Sequence, residues 1–176
     1  AREFITTFGP RAFRRPLTQD DIARYLALHQ EVAALDGFDQ GIRDVMTAML
    51  ISPHFLYRTE LGERDAQGRW ALTPHEIASE LSYLLWGTMP DPALLEAAAD
   101  GSLRDPEVIA EHARRMLRDP RGERAFEAFM GQWAELERLE RVVRDAETYP
   151  EFDDQIRASM KRETSRYLSE IYDGGA

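Results

Sequence analysis

Apolar residues recur every three to four positions along most of the chain, which is the spacing of one buried helix face. They form five stripes that we expect to be buried. The stripes are Ile42, Val45, Met46, Met49 and Leu50; Ile77, Leu81, Leu84 and Leu85; Val108, Ile109, Met116 and Leu117; Phe126, Phe129, Met130, Trp133 and Leu136; and Phe152, Ile156, Met160, Tyr167, Leu168 and Ile171. Such stripes are far more common in a protein core than in a cofactor site.

Four helix starts carry the same local signal. Thr18, Thr73, Asp91 and Asp105 each precede an apolar-periodic segment, and a proline directly follows the last three. A side-chain oxygen at this position accepts hydrogen bonds from unpaired amides, and proline fits the first helical position. The pattern predicts an all-α fold of about seven amphipathic helices in an orthogonal or bundle-like array.

Helical spacing is weakest between residues 57 and 73, where Gly62, Asp65 and Gly68 are turn formers. We expect a short β-hairpin near residues 57–72. The expected organisation is a small N-terminal helical unit (1–58), a connector or hairpin (59–71) and a larger C-terminal helical domain (72–176).

The net charge of −10 arises after residue 58, because residues 1–58 hold seven arginines and seven acidic residues. An acidic chain lacks the basic surface that nucleic acids require, and no run of about 18 apolar residues is present to span a bilayer. We therefore expect no nucleic-acid partner and no membrane insertion. The chain begins without methionine and stops directly after a helical pattern, so we expect it to be part of a longer protein.

The sequence predicts neither a metal site nor a catalytic residue in this chain. Cysteine is absent, which excludes thiolate ligands and a CxxCH motif for covalent haem. The segment HEIASE resembles a zinc-binding HExxH motif, but Ser79 occupies the position of the second histidine. No phosphate-binding glycine loop and no GxSxG motif is present.

His54 is the candidate cofactor-binding residue, in the segment SPHFLYR (52–58). Imidazole suits iron, and aromatic neighbours exclude water, so His54 could be an axial ligand or edge contact of a haem supplied by another segment. The alternative is a structural histidine at the C-terminus of a helix over 39–51, with its ring against the last carbonyls. We favour the structural alternative.

The candidate interdomain or partner contacts are exposed cations and one aromatic residue. They are Arg11, Arg14, Arg15, Trp70, Arg114, Arg115, Arg118 and Arg121. We expect Arg11, Arg14 and Arg15 to clamp the two units through carboxylates of the later part. The arginine run at 114–124 could dock an anionic surface or form an exposed helix end. Trp70 is the candidate exposed platform, since Trp86 and Trp133 lie on predicted core stripes.

Several stretches resemble a known pair of domains when taken in order. They are RAFRRPLT (11–18), SPHFLYR (52–58), ELSYLLWGTMPDPALL (80–95), AADGSLRDPEVI (98–109), RRMLRDPR (114–121), GQW (131–133) and YPEFDD (149–154). The chain is similar to domains of unknown function numbered 1595, over 1–58, and 1592, over 72–176. The resemblance implies a large exported protein of planctomycete-type or myxobacterial-type bacteria, in the periplasm or otherwise outside the cytoplasm. It also implies cytochrome-c-like haem-attachment segments outside this region, and it transfers no catalytic residue.

The expected function is a non-catalytic helical scaffold or interaction module whose partners are other domains of a larger haem-associated protein. One alternative is part of an oxidoreductase or electron-transfer site whose haem comes from outside the chain. Another is a ligand- or carbohydrate-binding module. A pocket at His54 would favour the redox alternative, and an exposed row of aromatic residues would favour the ligand-binding alternative. A large apolar surface patch would favour the docking of other domains.

Overall fold

The computed structural model describes residues 1–65, 67–145 and 147–175, which are helical apart from one hairpin and the connecting loops. The helices are α1 (Arg2–Phe13), α2 (Gln19–Asp36), α3 (Phe38–Leu50), α4 (Pro53–Leu56), α5 (Pro74–Trp86), α6 (Pro92–Ala99), α7 (Pro106–Leu117), α8 (Pro120–Trp133) and α9 (Asp154–Gly175). Short 3-10 helices cover Ser102–Arg104 and Leu136–Arg141. The all-α prediction is confirmed. Among these described helices, none is long and apolar enough to cross a membrane.

The predicted hairpin is present as β1 (Glu63–Arg64) and β2 (Trp70–Ala71). The strands are antiparallel, with Glu63 opposite Ala71 and Arg64 opposite Trp70; Ala66, in the connection, lies outside the described residues. Gly62 enters β1 with a φ of +64°, and a Cβ there would lie 2.7 Å from the carbonyl oxygen of Ala71. This position therefore requires glycine.

The predicted helix starts form real caps. The Thr18 hydroxyl accepts from the Asp21 amide at 3.1 Å while the Asp21 carboxylate accepts from the Thr18 amide at 3.0 Å. Thr73 and Glu76 form the same reciprocal pair at 3.2 and 2.7 Å. These boxes satisfy amides that the helix itself leaves unpaired.

The same signal starts two further helices, at caps that were not predicted. Ser52 caps α4, with Pro53 in the first turn, and Asp119 caps α8, with Pro120 in the first turn. Both pairs repeat the polar-residue-then-proline pattern of Asp91-Pro92, so the signal was in the sequence.

The chain divides into two compact units. Unit 1 comprises Ala1–Leu81 and Met89–Val108, and unit 2 comprises Ser82–Thr88 and Ile109–Ala176. The boundaries of these units differ from the boundaries predicted for the three segments. The predicted domain boundaries therefore stay a prediction. Side chains of α1, α2 and α3 form a core in unit 1, consisting of Ile5, Ala12, Phe13, Tyr25, Val45 and Met49.

Unit 2 is organised around Trp86 and the contact between α8 and α9. The indole N–H of Trp86 donates to the buried carbonyl of Met116 at 2.8 Å, as a buried indole requires. Gly122 allows close packing, because a Cβ there would lie 2.9 Å from the Met116 carbonyl and would overlap the Tyr172 hydroxyl. Phe126 then packs against Tyr172, with ring centroids 5.4 Å apart.

Several members of the predicted stripes are exposed, so that part of the core prediction is wrong. They are Met46, Leu84, Leu117, Phe129, Trp133, Ile156, Met160, Tyr167 and Ile171. Spacing identifies the residues that share a helix face, but it does not specify how much of that face a neighbour covers. On α8 the neighbour covers Phe126, whereas Trp133 is 73% exposed.

Candidate functional site

Arg14 occupies an unusual structural position in unit 1. It follows α1 with a φ of 56° in the left-handed region, and the residue is only 5% exposed. Its guanidinium donates to the carbonyls of His54 and Tyr57, both at 2.9 Å, and of Phe55 at 3.3 Å. These carbonyls lie in and just beyond α4, so Arg14 supplies the cation that the negative end of a helix favours.

His54 lies in the first turn of α4, a short helix that begins soon after α3 ends. Its amide donates to the Ser52 hydroxyl at 3.3 Å, and α3 has already ended at Leu50. The helix expected over 39–51 is present as α3 and ends just before Ser52, whereas the expected contact of the His54 ring with its last carbonyls stays a prediction. The imidazole packs against Phe13, with ring centroids 5.2 Å apart.

His54 lines a concave pocket of about 270 Å³ within unit 1, which we call the His54 pocket. Its walls come from the end of α1, the segment from α4 to the hairpin, and the first turns of α5. The lining residues are Phe13, Arg14, Arg15, His54, Arg58, Thr59, Leu61, Gly62, Thr73, His75, Glu76 and Ser79. Three guanidinium groups and two imidazoles thus face one carboxylate.

That carboxylate, Glu76, is held by backbone amides. It accepts from Leu61 at 2.8 Å, from Gly62 at 3.1 Å and from Thr73 at 2.7 Å. Burial alone would raise the pKa of Glu76, but these N–H groups outweigh burial and lower the pKa below its ordinary value. The ionised Glu76 carboxylate therefore links, through hydrogen bonds, the segment that enters the hairpin to the start of α5.

The second imidazole, His75, experiences a positive local potential. Burial, followed by the charge of Arg15, lowers the pKa of His75 below the ordinary 6.5, so His75 is neutral at physiological pH. Arg15 itself donates to the Asp21 carboxylate at 2.9 Å. Arg14 and Arg15 thus both bind groups within residues 1–58, and their expected clamp on the later part stays a prediction.

The predicted arginine cluster of unit 2 is divided between packing and exposure. The Arg121 guanidinium lies 3.4 Å from the Trp86 ring centroid and donates twice to Asp119, at 2.9 and 2.8 Å. Arg115 lies 5.5 Å from the same ring. Both therefore support Trp86. The exposed arginines that remain candidates for partner contacts are Arg11, Arg114 and Arg118.

Trp70 is exposed, as expected, but its ring is not a bare platform. The Arg64 guanidinium lies over it, 5.1 Å from the ring centroid. Trp86 is buried as predicted, whereas Trp133 is not. Trp70 therefore gives limited support to a carbohydrate site.

A second depression, of about 330 Å³, lies within unit 2, and we call it the Leu84 groove. Its walls are almost entirely apolar. The lining residues are Leu84, Leu85, Leu117, Gly122, Ala125, Phe126, Phe129 and Tyr172. Leu84 is 75% and Phe129 62% exposed, so the groove is open to solvent.

The groove experiences a negative local potential. Burial, followed by the charges of Glu123, Asp119 and Asp173, raises the pKa of Tyr172. The Tyr172 hydroxyl donates to the carbonyl of Leu117. The groove thus combines an apolar floor with nearby carboxylates.

The remaining surface offers weaker candidates. A depression of about 790 Å³ runs along α9, but Arg162, Glu163, Thr164, Arg166, Tyr167 and Glu170 of that single helix form it. In the part of the chain that the structure describes, no group of three or more His, Cys, Asp or Glu residues could hold a metal ion.

Two family models match this chain, and together they cover most of the residues of both sites. A family model described as protein of unknown function (DUF1592) matches residues 72–176, which is more than half of the chain. The chain belongs to the DUF1592 family. A second family model, protein of unknown function (DUF1595), matches residues 1–60. No curated protein and no solved structure matches this chain.

These matches confirm the resemblance to the two domains and their order along the chain. The two sites differ in which family match contains their residues. The His54 pocket takes His54 from the DUF1595 match and His75 from the DUF1592 match, while all residues of the Leu84 groove lie in the DUF1592 match. The implied exported location and cytochrome-c association stay predictions.

The His54 pocket does not fit a haem. Drug-sized ligands occupy pockets of roughly 300–1,000 Å³, and haem is a large ligand for a volume of about 270 Å³. Phe13 also covers part of the imidazole that would ligate the iron. We therefore assign no redox step to His54.

Two features of these sites were not predicted from the sequence. The sequence marks His75 only as part of an incomplete zinc motif, although the Thr73 cap places it in the first turn of α5. Leu84 and Phe129 were assigned to the core by the same spacing that correctly places Val45 and Met49.

Proposed function

We propose that this protein is a non-catalytic helical interaction module that docks a basic amphipathic helix of a partner protein segment in the Leu84 groove. The observation that carries the proposal is an open apolar groove beside carboxylates. This proposal keeps the scaffold function expected from the sequence, and it names the surface through which the module would contact its partner.

The shape and composition of the groove support a helix as the occupant. Its lining combines large apolar residues, Leu84, Leu117, Phe126 and Phe129 among them, with the small residues Gly122 and Ala125. Small residues flanked by large apolar ones suit the i, i+3, i+4 and i+7 anchors of a helix. Exposed contiguous apolar surface rimmed by polar residues is typical of protein interaction sites.

The charge near the groove supports a basic occupant. Glu123, Asp119 and Asp173 lie close enough to Tyr172 to raise its pKa, and the whole chain carries −10. Arginine or lysine beside the apolar face of a helix would find complementary charge here. The same net charge opposes docking of a second copy of this chain, because like charges repel on approach.

Binding of two synthetic amphipathic helices tests the proposal. One contains leucine and lysine, and the other has the same apolar face with glutamate in place of lysine; fluorescence anisotropy of the labelled peptide measures binding. We expect the lysine peptide to bind, the glutamate peptide to bind at least about tenfold more weakly, and the double variant Leu84→Gln/Phe129→Gln to lose about tenfold in affinity.

The matched control is Leu35→Gln/Phe38→Gln, which removes an equally exposed Leu and Phe from unit 1. It should leave the affinity unchanged. Equal losses in the two double variants, or equal binding of the two peptides, would overturn the proposal. Sedimentation of the protein alone identifies a second copy as the occupant if Leu84→Gln/Phe129→Gln dissociates a dimer.

A further inference from the structure

We propose that a second copy of this chain docks on one face of α9, so that the two α9 helices form an antiparallel pair. This surface, which we call the α9 face, consists of Ile156, Met160, Tyr167 and Ile171, all of them exposed. It lies within unit 2. The proposal is independent of the partner helix proposed for the Leu84 groove.

The four residues of the α9 face share one side of the helix. Successive members are four, seven and four residues apart, which corresponds to about one, two and one helical turns. The side of α9 that packs on the rest of unit 2 is a different one, because Leu168 is buried and Tyr172 packs against Phe126. The α9 face is therefore an apolar stripe that the described part of unit 2 leaves open to solvent.

The spacing of this stripe is the same in both directions along the helix. Ile156 and Ile171 lie equally far from the midpoint of residues 163–164, and so do Met160 and Tyr167. A two-fold dimer requires such a surface, because a contact of residue i with residue j is always repeated as a contact of j with i. In an antiparallel pair, Ile156 of one copy therefore lies opposite Ile171 of the other, and Met160 lies opposite Tyr167.

A depression at Met160 offers a place for the Tyr167 ring of the second copy. It has a volume of about 440 Å³, and its lining comes from α9 and from the segment around the 3-10 helix Leu136–Arg141. The apolar part of the lining is Leu136, Leu139, Val142 and Met160. Tyrosines that fill a pocket near the centre of an interface contribute much of the binding energy. Each copy thus carries both an exposed tyrosine, which is 63% exposed, and a depression that can receive one.

Charge does not oppose this contact as it opposes a second copy at the groove. Helix α9 carries four basic and four acidic residues, so it is neutral within a chain of −10. In the antiparallel pair, the exposed Glu163 of one copy lies within one helical turn of the exposed Arg166 of the other. These side chains are complementary across the axis. Repulsion between the remaining charges is screened beyond about 8 Å at physiological ionic strength.

Sedimentation equilibrium over a range of protein concentrations tests whether the dimer forms. We expect reversible association with a Kd of roughly 1–100 μM, because a single helix face forms a small interface. Tyr167→Gln should weaken association at least about tenfold, since it removes the side chain that fills the depression. The matched control is Tyr149→Gln, which removes an exposed tyrosine of unit 2 outside α9 and should leave association unchanged.

A protein that stays monomeric up to about 1 mM, or equal weakening by Tyr167→Gln and Tyr149→Gln, would overturn the proposal. A dimer that Leu84→Gln/Phe129→Gln dissociates would also overturn it, because the second copy would then occupy the groove. Salt separates the two interactions further. Added salt should preserve or strengthen the pairing of like-charged copies through an apolar face, whereas it should weaken binding of the lysine peptide in the groove.

A single introduced cysteine tests the antiparallel arrangement, because the chain has no cysteine of its own. The two copies of residue 163 lie near the two-fold axis, so Glu163→Cys should give a disulfide-linked dimer under mild oxidation. Ile156→Cys should not, because its two copies lie about 22 Å apart along the pair. Equal cross-linking of both variants would indicate a parallel pair, and that result or a lack of cross-linking by Glu163→Cys would overturn the arrangement.

Discussion

The His54 pocket and the Leu84 groove have similar volumes, about 270 and 330 Å³, but opposite electrostatic surroundings. In the pocket, burial and Arg15 lower the pKa of His75; at the groove, burial and three carboxylates raise the pKa of Tyr172. A single net charge of −10 therefore conceals two local fields of opposite sign.

The two regions also differ in how their walls are made. Arg14 and Glu76 shape the pocket through several hydrogen bonds each, whereas Leu84 and Phe129 line the groove with exposed apolar groups. A buried polar network is expensive to disturb, because each lost partner leaves another group unsatisfied. Exposed apolar side chains contribute little to folding. Substitution of the hydrogen-bonded groups of the pocket should therefore be costly, whereas substitution of the exposed groups of the groove should be tolerated.

The largest effect should come from Arg14→Met. It leaves the carbonyls of His54, Phe55 and Tyr57 without their charged donor, and hydrogen bonds to charged groups contribute about 1.5–3 kcal/mol each. We expect the free energy of unfolding in urea to fall by about 3–5 kcal/mol. Arg11→Met, at an exposed site on α1, should change it by less than about 0.5 kcal/mol. Similar values for both variants would mean that Arg14 does not support the pocket.

Trp86→Phe should have the next largest effect, because Trp86 is the position at which we expect the stability of unit 2 to be sensitive to substitution. The change removes the donor to the buried Met116 carbonyl and part of the surface beneath Arg121. We expect a loss of about 2–3 kcal/mol in urea unfolding. Trp133→Phe should cost less than about 0.5 kcal/mol, because Trp133 is exposed. A comparable loss at Trp133 would show that its face is covered.

The two regions should limit stability at opposite ends of the pH range. The pKa of His75 is lowered from 6.5 in the folded protein, so the unfolded chain binds the proton first, and stability should fall as pH drops below about 6.5 towards the folded-state pKa. The pKa of Tyr172 is raised from 10.0, so the unfolded chain loses its proton first, and stability should fall as pH rises through 10.0.

Urea unfolding across this pH range, repeated for His75→Gln and Tyr172→Phe, measures each contribution. His75→Gln should flatten only the acid side of the profile, and Tyr172→Phe only the alkaline side. If either variant changes both sides alike, the two fields are not separate.

The smallest effects should come from Leu84→Gln in the groove and from Thr59→Val, at an exposed residue that lines the His54 pocket. Both side chains are exposed, so each free energy of unfolding should remain within about 0.5 kcal/mol of wild type. A loss of several kcal/mol at Leu84 would show that the groove is closed in solution, and the contrast between the two regions would then disappear.

The features that sequence predicts well are local ones. The caps at Thr18 and Thr73 depend on residues three positions apart, and the hairpin depends on turn formers within a dozen residues. The all-α fold class follows from the repeated helix caps together with the helical spacing of apolar residues.

Features that depend on distant contacts could not be found in this way. Arg14 binds carbonyls 40 to 43 residues later, and no local pattern distinguishes it from exposed Arg11. Spacing assigns Phe126, Phe129 and Trp133 to one helix face, but only the position of α9 decides that Tyr172 packs on the first and leaves the other two exposed. The pocket likewise depends on residues at the end of α1 and in the first turns of α5 coming together with His54.

The long reach of Arg14 also sets an order of events during synthesis. Tyr57 follows Arg14 by 43 residues, and a ribosome adding about 5–20 residues per second needs roughly 2–9 seconds to make that stretch. Until Tyr57 has emerged, the guanidinium lacks its full set of carbonyl partners, although α1 can already pack against α2 and α3. The first helix made is therefore fully secured only after the two helices that follow it.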